Sequence, residues 1–228
     1  MATEPPSSAS VSADVKNQLR TAAFAVLLLT ALTGVVFPLV VTLLASSLFP
    51  RQAAGSLIEK EGRVAGSELI GQDFRARGYF HPRPSVAGSG YDALSSGGSN
   101  LGPLNPKLTE GAKDDPSTLD ANESYDGIAQ IAAAYRRENG LTPESRLPAD
   151  AVTRSGSGLD PHISPANAAL QAPRVGQARH LPLEQVSRLV AVHTEPRQWL
   201  FLGEPRVNVL ALNLALDRVA PLRAGGDP

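Results

Sequence analysis

The four histidines, His81, His162, His180 and His193, are the residues best suited to acid–base or metal chemistry. His162 lies two residues after Asp160, inside the segment SGSGLDPHISP. That spacing can pair a carboxylate with an imidazole, or it can supply two ligands to a metal ion. No third ligand is evident from the spacing of other residues. We therefore expect neither a metal site nor a catalytic residue, and we interpret Asp160 and His162 as a pair that fixes its own loop.

Two serines that lie between glycines, Ser89 and Ser157, are the candidate nucleophiles. A serine hydrolase commonly presents its nucleophile in a Gly-x-Ser-x-Gly turn after an apolar strand, with a histidine base beside it. Neither serine lies in that pentapeptide, and no apolar strand precedes either one. A serine hydrolase held outside the cytoplasm by a signal anchor is therefore an alternative hypothesis and not the first one.

The segment Leu94–Asn100 (LSSGGSN) is rich in groups that could hold a phosphate. Glycine backbone can present its N–H groups to an anion, and serine hydroxyls add further donors. The segment resembles the Leu-Ser-Gly-Gly signature of ABC transporter ATPases with one serine inserted, but the chain has no Gly-Lys-Ser or Gly-Lys-Thr loop. We interpret it as a loop that contacts a partner, with a link to nucleotide as the alternative. Its candidate residues are Ser95, Ser96, Gly97, Gly98, Ser99 and Asn100.

Composition excludes several classes of protein. The chain of 228 residues carries 21 basic and 22 acidic residues, for a net charge of −1, and it has no basic block. Nucleic-acid binding needs a concentrated positive surface, so we expect no nucleic-acid partner. The absence of cysteine excludes a disulfide scaffold, a thiolate metal site and a cysteine nucleophile.

No charged residue occurs from Thr21 to Phe49. About 20 apolar residues span the hydrocarbon core of a bilayer, so this run predicts one transmembrane helix over 21–49, in contact with membrane lipid. A cleaved signal peptide has a shorter apolar region of about 7–15 residues, which favours an uncleaved anchor. Gly34 and Pro38 lie inside the helix. Small residues let helices approach closely in lipid, so we expect these positions to pack against a partner helix.

The residues on either side of this helix predict its orientation. Lys16 and Arg20 precede it in a short tail, while a long domain follows it. The positive-inside rule applies to short segments, and long domains translocate largely regardless of charge, so we expect a cytoplasmic N-terminus. The expected organisation is a cytoplasmic tail over 1–20 with disorder over 1–15, a transmembrane helix over 21–49 and a soluble extracytoplasmic domain over 50–228.

The chain after the anchor alternates between helical periodicity and irregular segments. Residues 84–106 and 153–165 are dense in Gly, Ser and Pro, and long loops inside a compact domain are commonly functional or disordered. The expected elements are helices over 124–139, over 166–179 with a break or kink at Pro173 and over 183–193, a strand over 199–202, and a final helix through Asp217 capped by Asn208. This mixture predicts a small α/β or α+β domain with much irregular backbone.

Five segments resemble one known family. They are GSELIGQDF (66–74), GYFHPRPS (78–85), YDALSSGGSNLGPLNP (91–106), PADAVTRSGSGLDPHISPANAALQAPRVGQAR (148–179) and FLGEPRVNVLALNLALD (201–217). They closely resemble the C subunit of the bacterial Kdp potassium-transporting ATPase. The resemblance extends from residue 16 to residue 217, and the single membrane helix of that family coincides with the uncharged run.

This resemblance implies a function. In that family, a P-type ATPase subunit hydrolyses ATP and a channel-like subunit admits potassium. The C subunit is a non-catalytic accessory that supports assembly and acts as a catalytic chaperone, raising the affinity of the pump for ATP. The expected partners are therefore these two subunits, in the bacterial inner membrane. The chain has no DKTGT phosphorylation motif, and we expect any ATP to act through the pump subunit.

The expected topology conflicts with direct nucleotide binding, because residues 94–100 of an external domain could not touch cytoplasmic ATP. We give the topology more weight and expect the two Gly/Ser-rich loops, over 88–102 and 153–165, to be ordered against the channel-like subunit. A single-pass binding module is a further alternative, although the tail is too short to hold a signalling domain.

Overall fold

The computed structural model describes residues 8–60, 62–113 and 124–222. The chain divides into two compact units, one from Met1 to Ser56 and the other from Leu57 to Pro228. The first unit contains the apolar helix. The second contains the described strands and most of the described helices.

The N-terminal unit consists of helices α1 (Ser8–Ala31), α2 (Phe37–Leu48) and α3 (Pro50–Ala53), with a π-helical turn (Leu32–Val36) between the first two. The helix from Asp14 to Leu48 has a mean hydropathy of 2.5 in its most apolar window, and none of that window is buried. Its length and composition suffice to cross a membrane, as predicted. The disorder predicted for 1–15 is wrong over 8–15, where the chain is already helical; residues 1–7 lie outside the described residues.

The π-helical turn accommodates Pro38. Proline has no backbone N–H, and its ring crowds the carbonyl group four residues earlier, which here belongs to Gly34. In the turn, the N–H of Phe37 donates to the carbonyl of Leu32, five residues earlier, and this widens the helix locally. The helix therefore passes through Gly34 and Pro38 without a break.

The second unit mixes helices with short strands, which confirms the mixed class predicted from the sequence. One antiparallel hairpin joins β1 (Leu57–Lys60) to β2 (Arg63–Ser67), and an antiparallel sheet has the order β3 (His162–Ile163), β5 (Arg206–Asn208), β4 (Thr194–Glu195). Antiparallel pairing makes this an α+β arrangement. The helices are α4 (Pro106–Glu110), α5 (Ile128–Glu138), α6 (Ala149–Val152), α7 (Pro165–Arg179), α8 (Leu183–Val192) and α9 (Val209–Val219).

The hydrophobic core is formed by α7, α8, α9 and the three-stranded sheet. Burial of each large aliphatic or aromatic side chain contributes about 1.5–3 kcal/mol relative to exposure, so this cluster supplies much of the driving force for folding. Its most buried large apolar residues are Phe80, Ile163, Val175, Val186, Val207, Val209, Leu212 and Leu216.

Helix α7 is continuous, so the break predicted at Pro173 is wrong. The helix begins after Ser164, whose hydroxyl oxygen accepts the N–H of Asn167 at 3.1 Å, and it ends at His180 in a left-handed conformation. Proline removes one backbone donor from the helix. Burial of one face of α7, which includes Ala168, Ala172 and Val175, offsets that loss, because tertiary packing supplies most of the stability of a helix in a folded protein.

The predicted cap of the final helix is confirmed, but the predicted strand over 199–202 is wrong. Asn208 accepts the N–H of Ala211 at 3.0 Å through its side-chain oxygen and begins α9. The residues 199–202 form a tight turn, in which Trp199 and Leu200 have φ angles of 49° and 73°. This left-handed backbone is incompatible with an extended strand.

The segment 77–81, which begins with a turn, is held in the core by side chains and not by a neighbouring strand. The Asn213 amide accepts from the N–H of Phe80 and donates to its carbonyl, both at 2.9 Å. The Gln171 amide does the same for His81, at 2.7 and 3.0 Å. Each amide therefore replaces two hydrogen bonds that a neighbouring strand would make. The chain that follows this segment enters the first Gly/Ser-rich loop.

Candidate functional site

The two Gly/Ser-rich loops are bound to each other. The N–H of Gly97 and the hydroxyl of Ser96 both donate to the carbonyl of Ser157, at 2.9 and 3.0 Å. The hydroxyl of Ser85 donates to the carbonyl of Gly158 at 2.6 Å. We call residues 85–98 and 153–162 the loop pair. Their hydrogen bonds make the loop pair one ordered surface.

Glycine is required where the backbones of the loop pair approach most closely. A Cβ atom added at Gly98 would lie 2.9 Å from the carbonyl oxygen of Gly156. One added at Gly158, where φ is +68°, would lie 2.7 Å from the carbonyl oxygen of Gly97. Real Cβ atoms do not approach backbone oxygens so closely, and side chains rarely adopt that φ. The Gly-Ser pattern therefore reflects contact between the loops.

Several donors of the 94–100 segment are used within the chain. The N–H and the hydroxyl of Ser95 both donate to Asp92, each at 3.0 Å. Ser96 and Gly97 donate to the second loop, as described above. Ser99 is half-buried and Asn100 is exposed, with a φ of 53°. A phosphate cradle needs several N–H groups aimed outward, and three of the six candidate residues are already committed to bonds within the chain.

Asp160 lies at the end of the loop pair beside His162, as the sequence suggested, and it also binds Arg83. Arg83 Nη1 donates to Asp160 Oδ2 at 3.0 Å, and the N–H of His162 donates to Oδ1 at 2.9 Å. The ring nitrogen Nδ1 of His162 is 3.6 Å from Oδ1. Partial burial opposes ionisation, but the hydrogen bonds from His162 and Arg83 outweigh it and hold the pKa of Asp160 below its usual range.

Arg83, Ser85 and Tyr91 also belong to this network and were not predicted from the sequence. The guanidinium of Arg83 donates to the carbonyl of Thr153 at 3.3 Å, and the hydroxyl of Ser85 accepts the N–H of Tyr91 at 3.0 Å. The buried Tyr91 hydroxyl donates to the carbonyl of Arg83, and burial raises the pKa of this phenol. The available signal was that all three lie in segments that resemble the family, Arg83 and Ser85 in GYFHPRPS and Tyr91 at the start of YDALSSGGSNLGPLNP.

A groove of about 590 Å³ lies beside the loop pair. His81 Nδ1 is 3.1 Å from Glu138 Oε1 inside it. Burial opposes ionisation of Glu138, but the hydrogen bond from His81 outweighs it and lowers the pKa of this carboxyl. The groove is therefore lined by charged side chains of both signs together with aromatic rings. The lining includes Asp73, Phe74, His81, Arg83, Tyr91, Tyr135, Arg137 and Glu138.

A comparison with known families decides the assignment. The model of the family described as KdpC, the c chain of the K⁺-transporting ATPase, matches residues 19–218. The chain belongs to the KdpC family. The match confirms the resemblance carried by the five segments, and its range includes the apolar helix, the loop pair and the three-stranded sheet.

Curated relatives named potassium-transporting ATPase KdpC subunit align with most of the chain. One from Mycobacterium tuberculosis strain H37Rv is 51% identical over 205 residues, which are 90% of this chain and 100% of the relative. One from Beijerinckia indica is also 51% identical over 205 residues, and these cover 95% of that relative. A third, from Gemmatimonas aurantiaca, is 54% identical over 193 residues, covering 84% of this chain and 88% of the relative.

The geometry gives the serine hydrolase alternative no support in this KdpC chain. Among the described residues, neither Ser89 nor Ser157 forms a hydrogen bond with a histidine ring; the hydroxyl oxygen of Ser157 accepts the N–H of Leu159 at 3.1 Å. The rings of His81 and His162 face carboxylates instead. A hydrolase needs the serine and its base within hydrogen-bonding reach.

The two candidate packing positions of the anchor lie on exposed helix surface. An added Cβ at Gly34 would meet nothing within 4 Å, and Pro38 is exposed as well. Both lie inside the range that the KdpC family model matches. Their packing against a partner helix stays a prediction.

Proposed function

We propose that this chain is the non-catalytic accessory subunit of an ATP-driven potassium importer in the bacterial inner membrane. The observation that carries the proposal is the KdpC family match over residues 19–218, with named relatives 51% identical over 90% of the chain. In this role the chain binds the channel-like potassium-translocating subunit and the P-type ATPase subunit. It supports their assembly and, as a catalytic chaperone, raises the affinity of the pump subunit for ATP.

The loop pair is the proposed contact surface for the channel-like subunit. Its support is the network in which Ser85, Ser96 and Gly97 bind the second loop and Arg83 binds Asp160. A surface that is ordered before binding loses little conformational entropy when a partner docks on it. Residues 95–97 already donate hydrogen bonds to other parts of the chain, which argues against a direct phosphate cradle. The proposed effect on ATP affinity is therefore transmitted through the pump subunit.

Copurification tests the proposal. The tagged full-length chain, purified from host membranes in mild detergent, is expected to retain two larger membrane proteins and potassium-stimulated ATPase activity. The chain purified away from them is expected to have no ATPase activity. Recovery of the chain without either protein, or ATP turnover by the isolated chain, would contradict the proposed function.

The proposed topology has a cytoplasmic N-terminus and an extracytoplasmic domain. It is supported by the uncharged run over 21–49 and by Lys16 and Arg20 before it. Alkaline phosphatase fused to the C-terminus is expected to be active, since that enzyme folds only outside the cytoplasm. Green fluorescent protein at the same position, the matched control, is expected to stay dark. The reverse result would invert the topology and remove the objection to ATP contact.

Two variants separate assembly from nucleotide binding. Asp160→Ala leaves Arg83 and the N–H of His162 without their carboxylate, so it is expected to weaken the loop pair by about 1–3 kcal/mol and to reduce recovery of the partners. Ser96→Ala removes one exposed hydroxyl and is expected to change recovery little. Both are measured by partner recovery and by the ATP concentration for half-maximal activity. If the Asp160 variant assembles normally and the Ser96 variant needs more ATP for half-maximal activity, the results would favour direct nucleotide binding.

A further inference from the structure

Four large apolar side chains are exposed together at one turn of the domain. We call Trp199–Leu202 the apolar tip; it lies between β4 and β5. Trp199, Leu200 and Phe201 are 79%, 91% and 69% exposed, and Leu202 is 44% exposed. Single exposed apolar residues are ordinary on protein surfaces, but a contiguous apolar patch marks an interaction site. Neither the loop pair nor the groove includes the apolar tip.

The backbone of the apolar tip is fixed. Gln198 and Leu202 exchange two N–H···O=C hydrogen bonds at 2.9 Å, which close the turn at its base. Trp199 and Leu200 have φ angles of 49° and 73°, a left-handed conformation that costs a non-glycine residue about 1–2 kcal/mol. Strain of this kind persists only where the surroundings impose it. The four side chains are therefore presented on a backbone of one defined shape.

Charged residues around the apolar tip neutralise each other. Arg197 Nη2 lies 2.8 and 2.6 Å from the two carboxylate oxygens of Glu204. Arg206 Nε donates to Glu195 Oε2 at 2.9 Å. The surface is thus an apolar centre with a polar rim that carries no net charge from these four residues. An aromatic anchor surrounded by such a rim is the usual form of a hot spot in a protein–protein interface.

We propose that the apolar tip inserts into an apolar pocket on another protein subunit of the potassium-transporting ATPase. The inference rests on the proposed function, which supplies the complex. A bilayer is a poorer fit, because lipid imposes no particular backbone shape and surface-bound segments use unpaired Lys and Arg. Both arginines beside the tip are paired with glutamates. A patch of four residues is too small for a stable interface, so it acts as an anchor within a wider contact.

The test compares two leucines of similar exposure. Leu200→Ser in the full-length tagged chain is expected to lower recovery of the partner subunits at least about tenfold. Recovery is measured as the amount of each partner that stays bound to the tagged chain after extensive washing. Leu104→Ser is the matched control, since Leu104 is 96% exposed on a loop and is expected to leave recovery unchanged. Both changes are at exposed positions, so unfolding curves of the two variants are expected to coincide with that of the parent. Equal recovery with both variants would overturn the inference while leaving the proposed function intact.

Crosslinking and fluorescence identify what covers the apolar tip. Benzoylphenylalanine in place of Leu200 is expected to crosslink to a partner subunit in membranes, whereas the same group in place of Leu104 is not. Crosslinks only to lipid, or only to a second copy of the chain, would overturn the inference. Trp199 is the single tryptophan of the chain, so its fluorescence reports the tip directly. In vesicles without partners it is expected to resist quenching by doxyl lipids, and strong quenching would assign the tip to the bilayer.

Discussion

Replacing Asp217 with alanine is expected to lower the free energy of unfolding of the domain by about 3–5 kcal/mol, because it removes the partner of a buried charge. The guanidinium of Arg179 is completely buried and donates to Asp217 Oδ1 at 3.0 Å. Its other donors reach the carbonyls of Gly78 and Ala220 at 2.5 and 2.6 Å. These carbonyls carry no charge, so without Asp217 the cation stays buried with no carboxylate to offset its desolvation.

The matched control is an ion pair on the surface of α8. Glu184 and Arg188 are 76% and 75% exposed, and Glu184→Ala is expected to change the free energy of unfolding by no more than about 1 kcal/mol. Both variants are measured by denaturant unfolding of the full-length chain in detergent, followed by far-ultraviolet circular dichroism. Equal effects from the two substitutions would show that the buried pair contributes no more than a solvated one.

The same site makes the stability of the domain depend on pH. Partial burial opposes ionisation of Asp217, but hydrogen bonds from Lys60, Arg179 and Tyr79 outweigh it and hold the pKa below its usual range. A carboxyl whose pKa is lowered by folding stabilises the native state above its unfolded pKa and loses that contribution as pH falls through the folded pKa. The parent chain is therefore expected to lose more stability between neutral and acid pH than the Asp217→Ala variant does.

The arrangement around Arg179 shows which parts of this fold the sequence could predict. Local signals were sufficient for the apolar helix, for the cap at Asn208 and for the position of α8, because each depends on neighbouring residues. The segment 77–81 depends on Gln171 and Asn213, each more than 80 positions away in the chain. No local periodicity reports such a contact. The way in which this segment is held was therefore not predicted from the sequence.

The strand predicted over 199–202 failed for a related reason. Trp and Phe favour strands because strands usually bury such residues, and propensity reflects that burial. In this chain the same residues are exposed on a left-handed turn, which carries a conformational cost. A place where local preference and structure disagree in this way is a candidate functional site. The mismatch itself therefore supports the apolar tip as a binding element.

The candidate site was predictable in composition but not in its contacts. The Gly/Ser-rich segments and the proximity of Asp160 to His162 are visible in the sequence. That the two segments bind each other, through Ser85 and Ser96 to the carbonyls of residues 157 and 158, is a tertiary property. Short Gly-Ser motifs serve loop packing as well as phosphate binding, so the composition of 94–100 alone does not distinguish the two roles.

Gly158→Ala is expected to destabilise the loop pair by about 2–4 kcal/mol, because it adds strain and a steric clash at the same position. The residue has a φ of +68°, and an added Cβ would lie 2.7 Å from the carbonyl oxygen of Gly97 and 2.9 Å from the Cβ of Ala87. Ala87 is completely buried, so it has no free space into which to move. We expect faster backbone hydrogen exchange in both loops and reduced recovery of the partner subunits.

Gly97→Ala is the matched control, because it lies in the same loop pair but an added Cβ there meets nothing within 4 Å. Alanine keeps the N–H that donates to Ser157, so stability is expected to change by no more than about 1 kcal/mol. The control also tests the nucleotide alternative, since Gly97 lies within the Leu-Ser-Gly-Gly-like segment. A loop pair that acts in assembly requires the Gly158 variant to lose partners while the Gly97 variant keeps both its partners and its ATP dependence. If instead the Gly97 variant lost its partners or its ATP dependence and the Gly158 variant kept both, the Gly97 position would be in contact with a ligand. Contact between the loops would then be secondary to that function.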